Sequence, residues 1–384
     1  MTVPHREAGV RLSTANLTEL EIRAERVGLN LADGHARQPL TPGQEKIVDR
    51  LPELFHTARR AVVPDLDREA QVTYLSVLGQ HTALTEAKIL SCYSSSVAME
   101  IFARALFAAG LRRVGLIHPT FDNIPDILRG VGLGLRAVPE HVLHRADTAV
   151  LPDLDALFIT TPNNPTGGVL DEPALAQWAA WCAAHNVVLA LDTSFRAFDP
   201  RAQYDHYRVL ADSGVEWVVI EDTGKVFPSL DLKVGFLAYA TGGRLPLWRI
   251  YTDILLGVSP MILCLVTALA REGAGGGFAA LHQTIARHRA GLHAALPQPT
   301  YGRWPDPGNR ISVERLALPP GLDAGRVSDD LRARDVHVLP CGNFHWADRA
   351  EGAGHLRIAL SRPEKDLHAG AEVIRDYLAA ASAG

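Results

Sequence analysis

Short runs of consecutive apolar residues, separated by polar segments, recur along the chain. Runs this short and rich in valine, isoleucine and leucine are typical of strands buried on both faces of a parallel sheet. Five of them predict parallel strands, at Arg113 to His118, Ala156 to Pro162, Val187 to Ser194, Trp217 to Asp222 and Val234 to Tyr239. The pattern therefore predicts an open, mostly parallel β-sheet.

The segment from Glu172 to Asn186 has helical spacing instead. Its apolar residues recur every three or four positions and would form one face, made of Leu175, Trp178, Ala179 and Cys182. A helix of this kind between two buried strands is the usual crossover between parallel strands. An α/β fold with helices flanking the sheet follows.

The pattern changes after the glycine-rich run Gly273 to Gly277, which we interpret as a break. We predict an N-terminal segment over residues 1–55 that contributes to a small domain, a large domain over 56–278 and a small α+β domain over 279–384. The last part alternates as strand, helix, strand, strand and helix: Arg310 to Leu318, Val327 to Arg334, Val336 to Cys341, His355 to Ser361 and Glu364 to Ala381.

Composition narrows the class of protein. The 384 residues are 47% hydrophobic and 21% charged, and the formal net charge of -5 is spread over both signs, so nucleic acid is not an expected partner. The apolar stretch from Pro260 to Ala270 is too short to cross a bilayer. The four cysteines form no CxxC pair, so we expect no metal site, no disulfide framework and a cytoplasmic protein; they are Cys92, Cys182, Cys264 and Cys341.

Polar residues cluster where the predicted strands end. Asn163 and Asn164 follow one strand, Asp192 lies in the next, and the segment Asp222 to Lys225 follows a third. Ligands of open parallel sheets bind outside the carboxyl ends of the strands, so we expect one site assembled from distant segments. Taken alone, Thr160 to Gly168 (TTPNNPTGG) is also compatible with a simple turn.

The order of these motifs resembles fold-type I pyridoxal-phosphate enzymes, class I aminotransferases in particular. Thr160 to Gly168 is followed by Asp192, then Lys225, then Arg357 near the C-terminus. The resemblance implies pyridoxal 5'-phosphate held by Lys225 as a Schiff base, with Asp192 paired to the pyridine nitrogen so that the ring acts as an electron sink. Arg357 would bind the α-carboxylate of an amino-acid substrate through its planar fork.

The same resemblance implies further cofactor contacts. Asn164 would bond the phenolic oxygen, Phe121 would lie against the ring, and Lys233 would act on the phosphate together with a helix N-terminus at the serines. Simple helix capping by the serines and a core position for Phe121 are the alternatives. The predicted cofactor residues are Ser94, Ser95, Ser96, Phe121, Asn164, Asp192, Ser194, Thr223, Lys225 and Lys233.

Two positions depart from an ordinary aminotransferase. Phe195 stands where the family has a tyrosine that donates to the cofactor oxygen, and Ser194 is the candidate to take over that role. Asp222 stands where the family has a serine that binds the phosphate, so we expect Asp222 to face a cation instead.

These departures belong to a group of segments that resembles a narrower family, the oxygen-dependent L-arginine oxidases and hydroxylases of the enduracididine-pathway type. The segments are Asn30 to Arg37, Ser91 to Ser96, His118 to Asn123, Asp192 to Arg196 and Glu221 to Lys225. The narrower resemblance runs nearly the full length of the chain and implies L-arginine as substrate and O2 as co-substrate.

The implied reaction involves no net transamination. Lys225 would remove the α-proton, and the quinonoid would reduce dioxygen, giving 2-oxoarginine with hydrogen peroxide and ammonia. A second oxidation and addition of water, with His35 as candidate base, would give 4-hydroxy-2-oxoarginine. An N-terminal lid would close over the substrate and would carry Thr18, Glu21, Asp33 and His35.

Several alternatives stay open. Glu21 and Asp222 are candidate partners of the substrate guanidinium, but Thr18 to Glu21 also fits a helix capping box, and a histidine such as His35 often lies on the surface. The whole chain could be a conventional aminotransferase that needs a keto acid, or a non-catalytic regulator on the same fold. The family resemblance further implies a homodimer, with Tyr251 to Pro260 near the neighbouring site.

Overall fold

The computed structural model describes residues 15–26, 28–151 and 153–382, so the first fourteen residues of the expected N-terminal segment lie outside it. The strands of the described chain are β1 Leu29–Asn30, β2 Ala87–Cys92, β3 Arg113–His118, β4 Gly134–Pro139, β5 Ala156–Thr160, β6 Val188–Asp192, β7 Trp217–Asp222, β8 Gly235–Ala240, β9 Val313–Ala317, β10 Val336–His337, β11 Leu339–Pro340 and β12 His355–Ala359.

The α-helices of the described chain lie before, between and after these strands. They are α1 Leu17–Ala24, α2 Pro42–Asp49, α3 Leu51–Arg60, α4 Val63–Val77, α5 Ala83–Glu86, α6 Ser95–Ala108, α7 Asn123–Gly130, α8 Glu140–His144, α9 Glu172–Ala184, α10 His206–Ser213, α11 Leu247–Ile254, α12 Pro260–Glu272, α13 Phe278–Ala295, α14 Ala324–Arg332 and α15 Glu364–Ser382.

The larger sheet has the order β2-β8-β7-β6-β5-β3-β4 among the described residues. Its strands run parallel except β8, which is antiparallel to both β7 and β2. The predicted α/β fold with a mostly parallel sheet flanked by helices is confirmed, and α9 buries the predicted face of Leu175, Trp178, Ala179 and Cys182. The main hydrophobic core lies around this sheet.

The prediction of a parallel strand at Val234 to Tyr239 is wrong in direction. Parallel neighbours need a crossover connection, usually a helix, whereas the connection from β7 to β8 contains none and the chain returns alongside. Two strands of this sheet, β2 and β4, were not predicted. β4 is mostly exposed and β2 is only half buried over its first residues, so neither has the uniform apolar run that marks a buried strand.

A second, smaller sheet has the antiparallel order β11-β12-β9, and it places Arg357 of β12 opposite Leu339 and Arg315. The N-terminal strand β1 pairs in parallel with β10, Leu29 opposite Val336. The chain before the large sheet thus packs with the C-terminal part, which brings residues near position 30 close to Arg357. The domain boundaries at 55 and 278 stay predictions.

The glycine run Gly273 to Gly277 is a π-helical turn with Gly276 at φ 128°, so it kinks the chain between α12 and α13 instead of ending the helix. The resulting 36-residue stretch, Pro260–Ala295, is long and apolar enough to cross a membrane by length and composition, unlike the shorter run considered above. Half of its most apolar window is buried in the fold, where α12 packs on α3 and α4. Buried core helices meet the same criterion.

Candidate active site

A cavity of about 360 Å³ lies at the carboxyl edge of the large sheet. The strands β5, β6 and β7 run in parallel and end together, which brings the residues that follow them to the same place. Most of the predicted site residues line the cavity: Thr18, Glu21, His35, Ser94, Ser95, Ser96, Phe121, Asn164, Asp192, Ser194, Asp222, Lys225, Lys233 and Arg357.

Two predicted residues lie behind the cavity wall. The Thr223 hydroxyl is buried and accepts a hydrogen bond from the Val234 N–H at 2.9 Å, so it holds the turn after β7 instead of facing a cofactor. Asp33 is buried behind His35 and contacts that ring. The predictions of direct cofactor and substrate contact for these two residues are therefore not supported by their positions.

Asn164, Asp192, Ser194 and Lys225, here called the floor, are held by strand ends. Asp192 ends β6, and its Oδ1 accepts from the Ser194 N–H at 3.1 Å and from the Ser194 hydroxyl at 2.5 Å. Burial raises the pKa of Asp192 to about 6, although the Ser194 hydrogen bonds act in the opposite direction. A cationic ring nitrogen at this carboxylate would restore its charge.

Asn164 and Lys225 line the cavity beside Asp192. Asn164 Oδ1 is buried and has no hydrogen-bond partner among the described residues. Such a group is costly unless a ligand or water bonds it. Lys225 lies half buried in the loop after β7 and lines the same space. The floor therefore has hydrogen-bonding capacity for a bound ring.

Asp222 occupies the position expected for the phosphate. Its Oδ2 accepts from the Ser95 N–H at 3.2 Å and the Ser95 hydroxyl at 2.6 Å, at the N-terminus of α6. Its Oδ1 accepts from the Gly224 N–H at 2.6 Å. Burial alone would raise the pKa of Asp222, but the charges of Lys225 and Lys233 lower it overall. Asp222 thus faces cations as expected, but these cations belong to the protein.

The neighbouring serines also have partners. The Ser94 hydroxyl accepts from the Val97 N–H at 3.2 Å, so Ser94 is the N-cap of α6, which was the alternative to a phosphate contact. The Ser96 hydroxyl accepts from the Asn123 side chain at 3.1 Å. A phosphate at this helix end would therefore have to take over donors that the protein now uses internally.

Residues 16–26 and 28–37, here called the cover, lie over the cavity. Helix α1 is capped by Asn16, whose side chain accepts from the Glu19 N–H at 2.8 Å, so the capping box at Thr18 to Glu21, the alternative to a substrate contact, is not formed. Glu21 Oε1 instead accepts from Arg357 Nη2 at 3.2 Å and from the Gly34 N–H at 3.3 Å. Tertiary contact with Arg357 replaces the local cap.

Arg357 is fully buried on β12. Its Nη2 donates to Glu21 and to the Ala32 carbonyl oxygen, whereas Nε and Nη1 are buried without partners among the described residues. The Phe344 ring lies 5.5 Å from the guanidinium carbon. Burial lowers the pKa of Arg357, and the charges of Glu21 and Asp33 oppose that shift. The unpaired N–H groups fit an anionic group such as a carboxylate.

His35 lies between an acid and a base. Its Nδ1 is 2.6 Å from Asp33 Oδ1, and its Nε2 is 2.8 Å from Lys233 Nζ. These partners favour the tautomer in which Nδ1–H donates to Asp33 and Nε2 accepts from Lys233. Burial would raise the pKa of Asp33, but the hydrogen bond from His35 and the charge of Arg362 lower it overall. Lys233, which was expected to bind the phosphate, thus donates a hydrogen bond to His35, the expected base.

Two contacts near the site were not anticipated. Asp122 Oδ2 accepts from the Leu17 N–H at 2.8 Å and so holds the start of α1, while burial raises the pKa of Asp122 to about 7. Arg196 and Glu221 form a buried ion pair at 2.9 Å beneath the floor. All but Leu17 lie in the segments that carry the narrower resemblance, which was the available signal, although no role was assigned to them.

Comparisons with known proteins agree with this geometry. The profile of a family described as aminotransferase class I and II matches residues 30–374. The structure of MppP soaked with the product 2-ketoarginine is 48% identical, with a TM-score of 0.87, over 91% of this chain and 99% of that chain.

Two curated relatives match over shorter stretches. Threonine-phosphate decarboxylase of Salmonella typhimurium is 38% identical over 141 residues, which are 34% of this chain and 37% of that protein. The 3-methylarginine biosynthesis aminotransferase ArgM of Streptomyces arginensis is 35% identical over 106 residues, which are 27% of this chain and 28% of that protein. The chain thus matches little more than a third and a quarter of the length of these two relatives.

Proposed function

The chain belongs to the class I and II aminotransferase family. Within that family, we propose that it catalyses the oxidation of L-arginine by dioxygen, with pyridoxal 5'-phosphate as cofactor. The proposed organic products are 2-oxoarginine and 4-hydroxy-2-oxoarginine, released with ammonia and hydrogen peroxide. Formation of 2-oxoarginine consumes one molecule of dioxygen and one of water. Formation of the hydroxylated acid consumes two of each.

Enzymes of this family use pyridoxal 5'-phosphate, and the floor fits it. The amide N–H group of Asn164 would donate to the phenolic oxygen. The two hydrogen bonds from Ser194 go to Asp192 Oδ1, so Asp192 Oδ2 would accept from a protonated ring nitrogen. The cofactor, when bound, supplies an electron sink that makes the α-hydrogen of an amino acid acidic. Lys225 would hold it and then take up the α-proton.

The phosphate requires a local change. Ser95 would turn its N–H and hydroxyl from Asp222 toward the phosphate. Lys233 would give up its contact with His35 and move to the phosphate as well. Asp222 would then lose two of its donors and become available to a cation of the substrate. This exchange accounts for an acid at a position where the family has a serine.

The observation that carries the proposal is the 48% identity, over 91% of this chain, with MppP, whose structure was soaked with the product 2-ketoarginine. That compound is the α-keto acid of arginine, so it forms when the α-amino nitrogen of arginine leaves. The cavity fits the same skeleton. Arg357 offers unpaired N–H groups to a carboxylate, and Glu21 and Asp222 offer carboxylates to a guanidinium.

The cover residues fit the hydroxylating branch of the reaction. Asp33 orients His35, and Lys233 occupies Nε2 of the same ring. When Lys233 moves to the phosphate, Nε2 is free to accept a proton from water. We therefore assign His35 as the base for water addition and Asp33 as the residue that positions it. Thr18 lines the cavity at the start of α1 and would contact the substrate.

The cofactor oxygen has fewer hydroxyl donors than in an ordinary aminotransferase. Phe195 is buried and has no hydroxyl, and the Ser194 hydroxyl donates to Asp192, so Ser194 does not replace the missing tyrosine here. This favours a different electron distribution in the ring from that of transaminases. The alternative function, a conventional aminotransferase acting on arginine or another amino acid, is favoured by the match to ArgM.

Oxygen consumption separates the two functions. Purified, cofactor-loaded protein is given L-arginine without a keto acid, and oxygen uptake is recorded while products are identified by mass spectrometry. We expect uptake with a ratio of dioxygen to keto acid between one and two, rising with the hydroxylated fraction. If oxygen is not consumed and turnover begins only when a keto acid is added, the protein is an aminotransferase and the oxidase proposal is wrong.

We also propose a homodimer, as is usual in this family. The segment Tyr251 to Pro260, expected near the neighbouring site, includes Leu256, whose side chain is fully exposed, and Trp248 just before it is 59% exposed. Light scattering coupled to gel filtration measures the mass directly. A monomer at micromolar concentration would contradict this part of the proposal.

A further inference from the structure

Two histidines and a glutamate meet outside the substrate cavity. His118 Nε2 lies 2.9 Å from Glu351 Oε2, and His345 Nδ1 lies 3.3 Å from the same oxygen. One ligand atom from each of the three residues lies within 4.8 Å of the other two. His345 and Glu351 are six residues apart, but His118 is 233 residues from Glu351, so the sequence spacing does not indicate the cluster.

Two distant parts of the fold bring the three residues of this cluster together. His118 ends β3 of the large sheet, whereas His345 and Glu351 come from the C-terminal part of the chain. Gly352 makes the approach possible, because a Cβ there would lie 2.4 Å from the Cys341 carbonyl oxygen and 2.6 Å from His345 Cδ2. Both histidine rings are buried, and the Glu351 side chain is 56% exposed. An ion could therefore enter from the side of Glu351.

The donor set suits a borderline transition metal. Imidazole and carboxylate groups bind Zn²⁺ at about 2.0 to 2.2 Å in tetrahedral sites, which places neighbouring ligand atoms roughly 3.3 Å apart. The separations of 2.9 and 3.3 Å to Glu351 need only shifts of a few tenths of an ångström to reach that arrangement. Water would supply the remaining ligand on the exposed side.

We propose that His118, His345 and Glu351 form a binding site for a divalent transition-metal ion of the zinc type. The ion braces the fold and takes no part in the oxidation of the substrate. The second ring nitrogens, His118 Nδ1 and His345 Nε2, are buried without partners among the described residues, so no further hydrogen bond orients the rings. Loss of such orienting bonds weakens metal sites about 10- to 100-fold, so the affinity is lower than that of fully supported zinc sites.

The position of the site gives the ion a structural consequence. Just after His118, the Thr120 N–H donates to the Phe344 carbonyl oxygen at 3.0 Å. Phe344 packs edge-on against Phe121 of the cavity wall at 5.7 Å and lies against Arg357. A metal that joins His118 to His345 therefore fixes the wall between the sheet edge and Arg357.

The test compares two glutamates. In Glu351→Gln a ligand is lost at an exposed side chain, so folding is retained. In the control Glu372→Gln the same change is made in an exposed pair, His368 and Glu372 at 3.6 Å, where the described contacts include no second imidazole. Untagged, cofactor-loaded proteins are dialysed against Zn²⁺ and then against metal-free buffer, and bound zinc is measured by mass spectrometry. Cofactor absorbance verifies that each variant is folded.

We expect about one zinc per chain in the wild type and in Glu372→Gln, and at least a tenfold lower affinity in Glu351→Gln. Co²⁺ provides a second readout, because four-coordinate cobalt absorbs in the visible range and this band would be lost in Glu351→Gln. Zinc should also raise the unfolding temperature of the wild type and not that of Glu351→Gln. If the wild type retains no stoichiometric metal, or if both variants bind it equally, the cluster is a hydrogen-bonded contact only and the proposal is wrong.

Discussion

The floor of the cavity is fixed by the ends of parallel strands, whereas the cover is fixed by side chains that reach between distant parts of the chain. Asp192 is the last residue of β6 and is bonded by Ser194, two positions away. Glu21 in the cover is bonded by Arg357, which is 336 positions away. The floor belongs to the sheet itself, and the cover is attached to it.

This difference separates two kinds of function. The sheet cannot change the floor without losing strand pairing, so the floor suits a cofactor that must stay in one geometry. The cover is anchored by the pairing of β1 with β10 and by the buried side chains of Leu17 and Leu31. It meets the cavity through polar side chains such as Glu21 and His35, which can be altered without disturbing the large sheet. Variants of the floor should therefore act on the cofactor and on all chemistry, and variants of the cover should act on substrate affinity and on the choice of product.

The largest effect is expected at Lys225. In Lys225→Ala the covalent link to the cofactor is lost together with the base for the α-proton, so turnover should fall roughly 10⁴-fold or more. The absorbance of the linked cofactor should disappear as well. Lys88→Ala, at an exposed lysine on β2, is the matched control and should keep both. If Lys225→Ala retains the absorbance of the linked cofactor, Lys225 is not the residue that binds the cofactor covalently.

A smaller but still general loss is expected for Asp192→Asn. The amide keeps the shape but cannot balance a positive ring nitrogen, so kcat should fall roughly 10²-fold while KM for arginine changes little. Burial raises the pKa of Asp192 to about 6, so its carboxyl can pass a proton to the ring nitrogen and become the carboxylate that pairs with it. Steady-state kinetics with L-arginine measure kcat and KM. An unchanged kcat would contradict the assigned role.

Arg357 lies where floor and cover meet, and its variant should act on substrate alone. Arg357→Lys retains the charge but loses the planar fork, so KM for arginine should rise roughly tenfold or more. The cofactor spectrum should not change, since Arg357 is not part of the floor. Steady-state kinetics with L-arginine measure the shift. A normal KM would mean that the carboxylate binds elsewhere in the cavity.

His35 tests whether the cover selects the product. In His35→Ala the proposed base for water is lost, so the hydroxylated fraction of the product should fall about tenfold while oxygen consumption continues. His81→Ala, at an exposed histidine outside the cavity, is the control. Mass spectrometry of the two keto acids gives the ratio. Unchanged ratios in both variants would remove His35 from the reaction.

The sequence predicts the floor well for a physical reason. Strand ends follow from local apolar runs, and Asn164, Asp192 and Lys225 lie directly at or after such ends, so local pattern and site coincide. The direction of β8 was not predictable, because both directions produce the same apolar run. The order of the motifs along the chain indicated the family and the cofactor residues, which the local apolar pattern does not indicate.

The contacts of the cover, in contrast to the floor, could not be predicted from local sequence pattern. The capping box at Thr18 to Glu21 is a sound local pattern, but Asn16 takes the cap and Glu21 turns to Arg357. No local sequence pattern indicates that the Asp222 carboxylate accepts hydrogen bonds at the N-terminus of α6, or that Lys233 bonds His35. These contacts depend on how segments far apart in sequence are brought together, which residue spacing does not record.

Asp122, which the sequence did not single out, provides the finest test of how the cover is attached. Its carboxyl accepts from the Leu17 N–H, and burial raises its pKa to about 7, so the docked cover favours the protonated form. Since an exposed aspartate has a pKa of about 3.9, docking weakens as the pH rises toward 7 and is constant above it. In Asp122→Asn the acceptor is kept without the charge, so the cover should dock more firmly than in the wild type.

Limited proteolysis of the N-terminal segment should therefore be several-fold slower in Asp122→Asn than in the wild type at pH 8, with the difference shrinking toward pH 5. Asp126→Asn, one turn along and exposed, should have a much smaller effect, because the charge of Asp126 contributes less than burial to the raised pKa of Asp122. A difference that does not depend on pH would mean that the charge of Asp122 does not control how the cover docks.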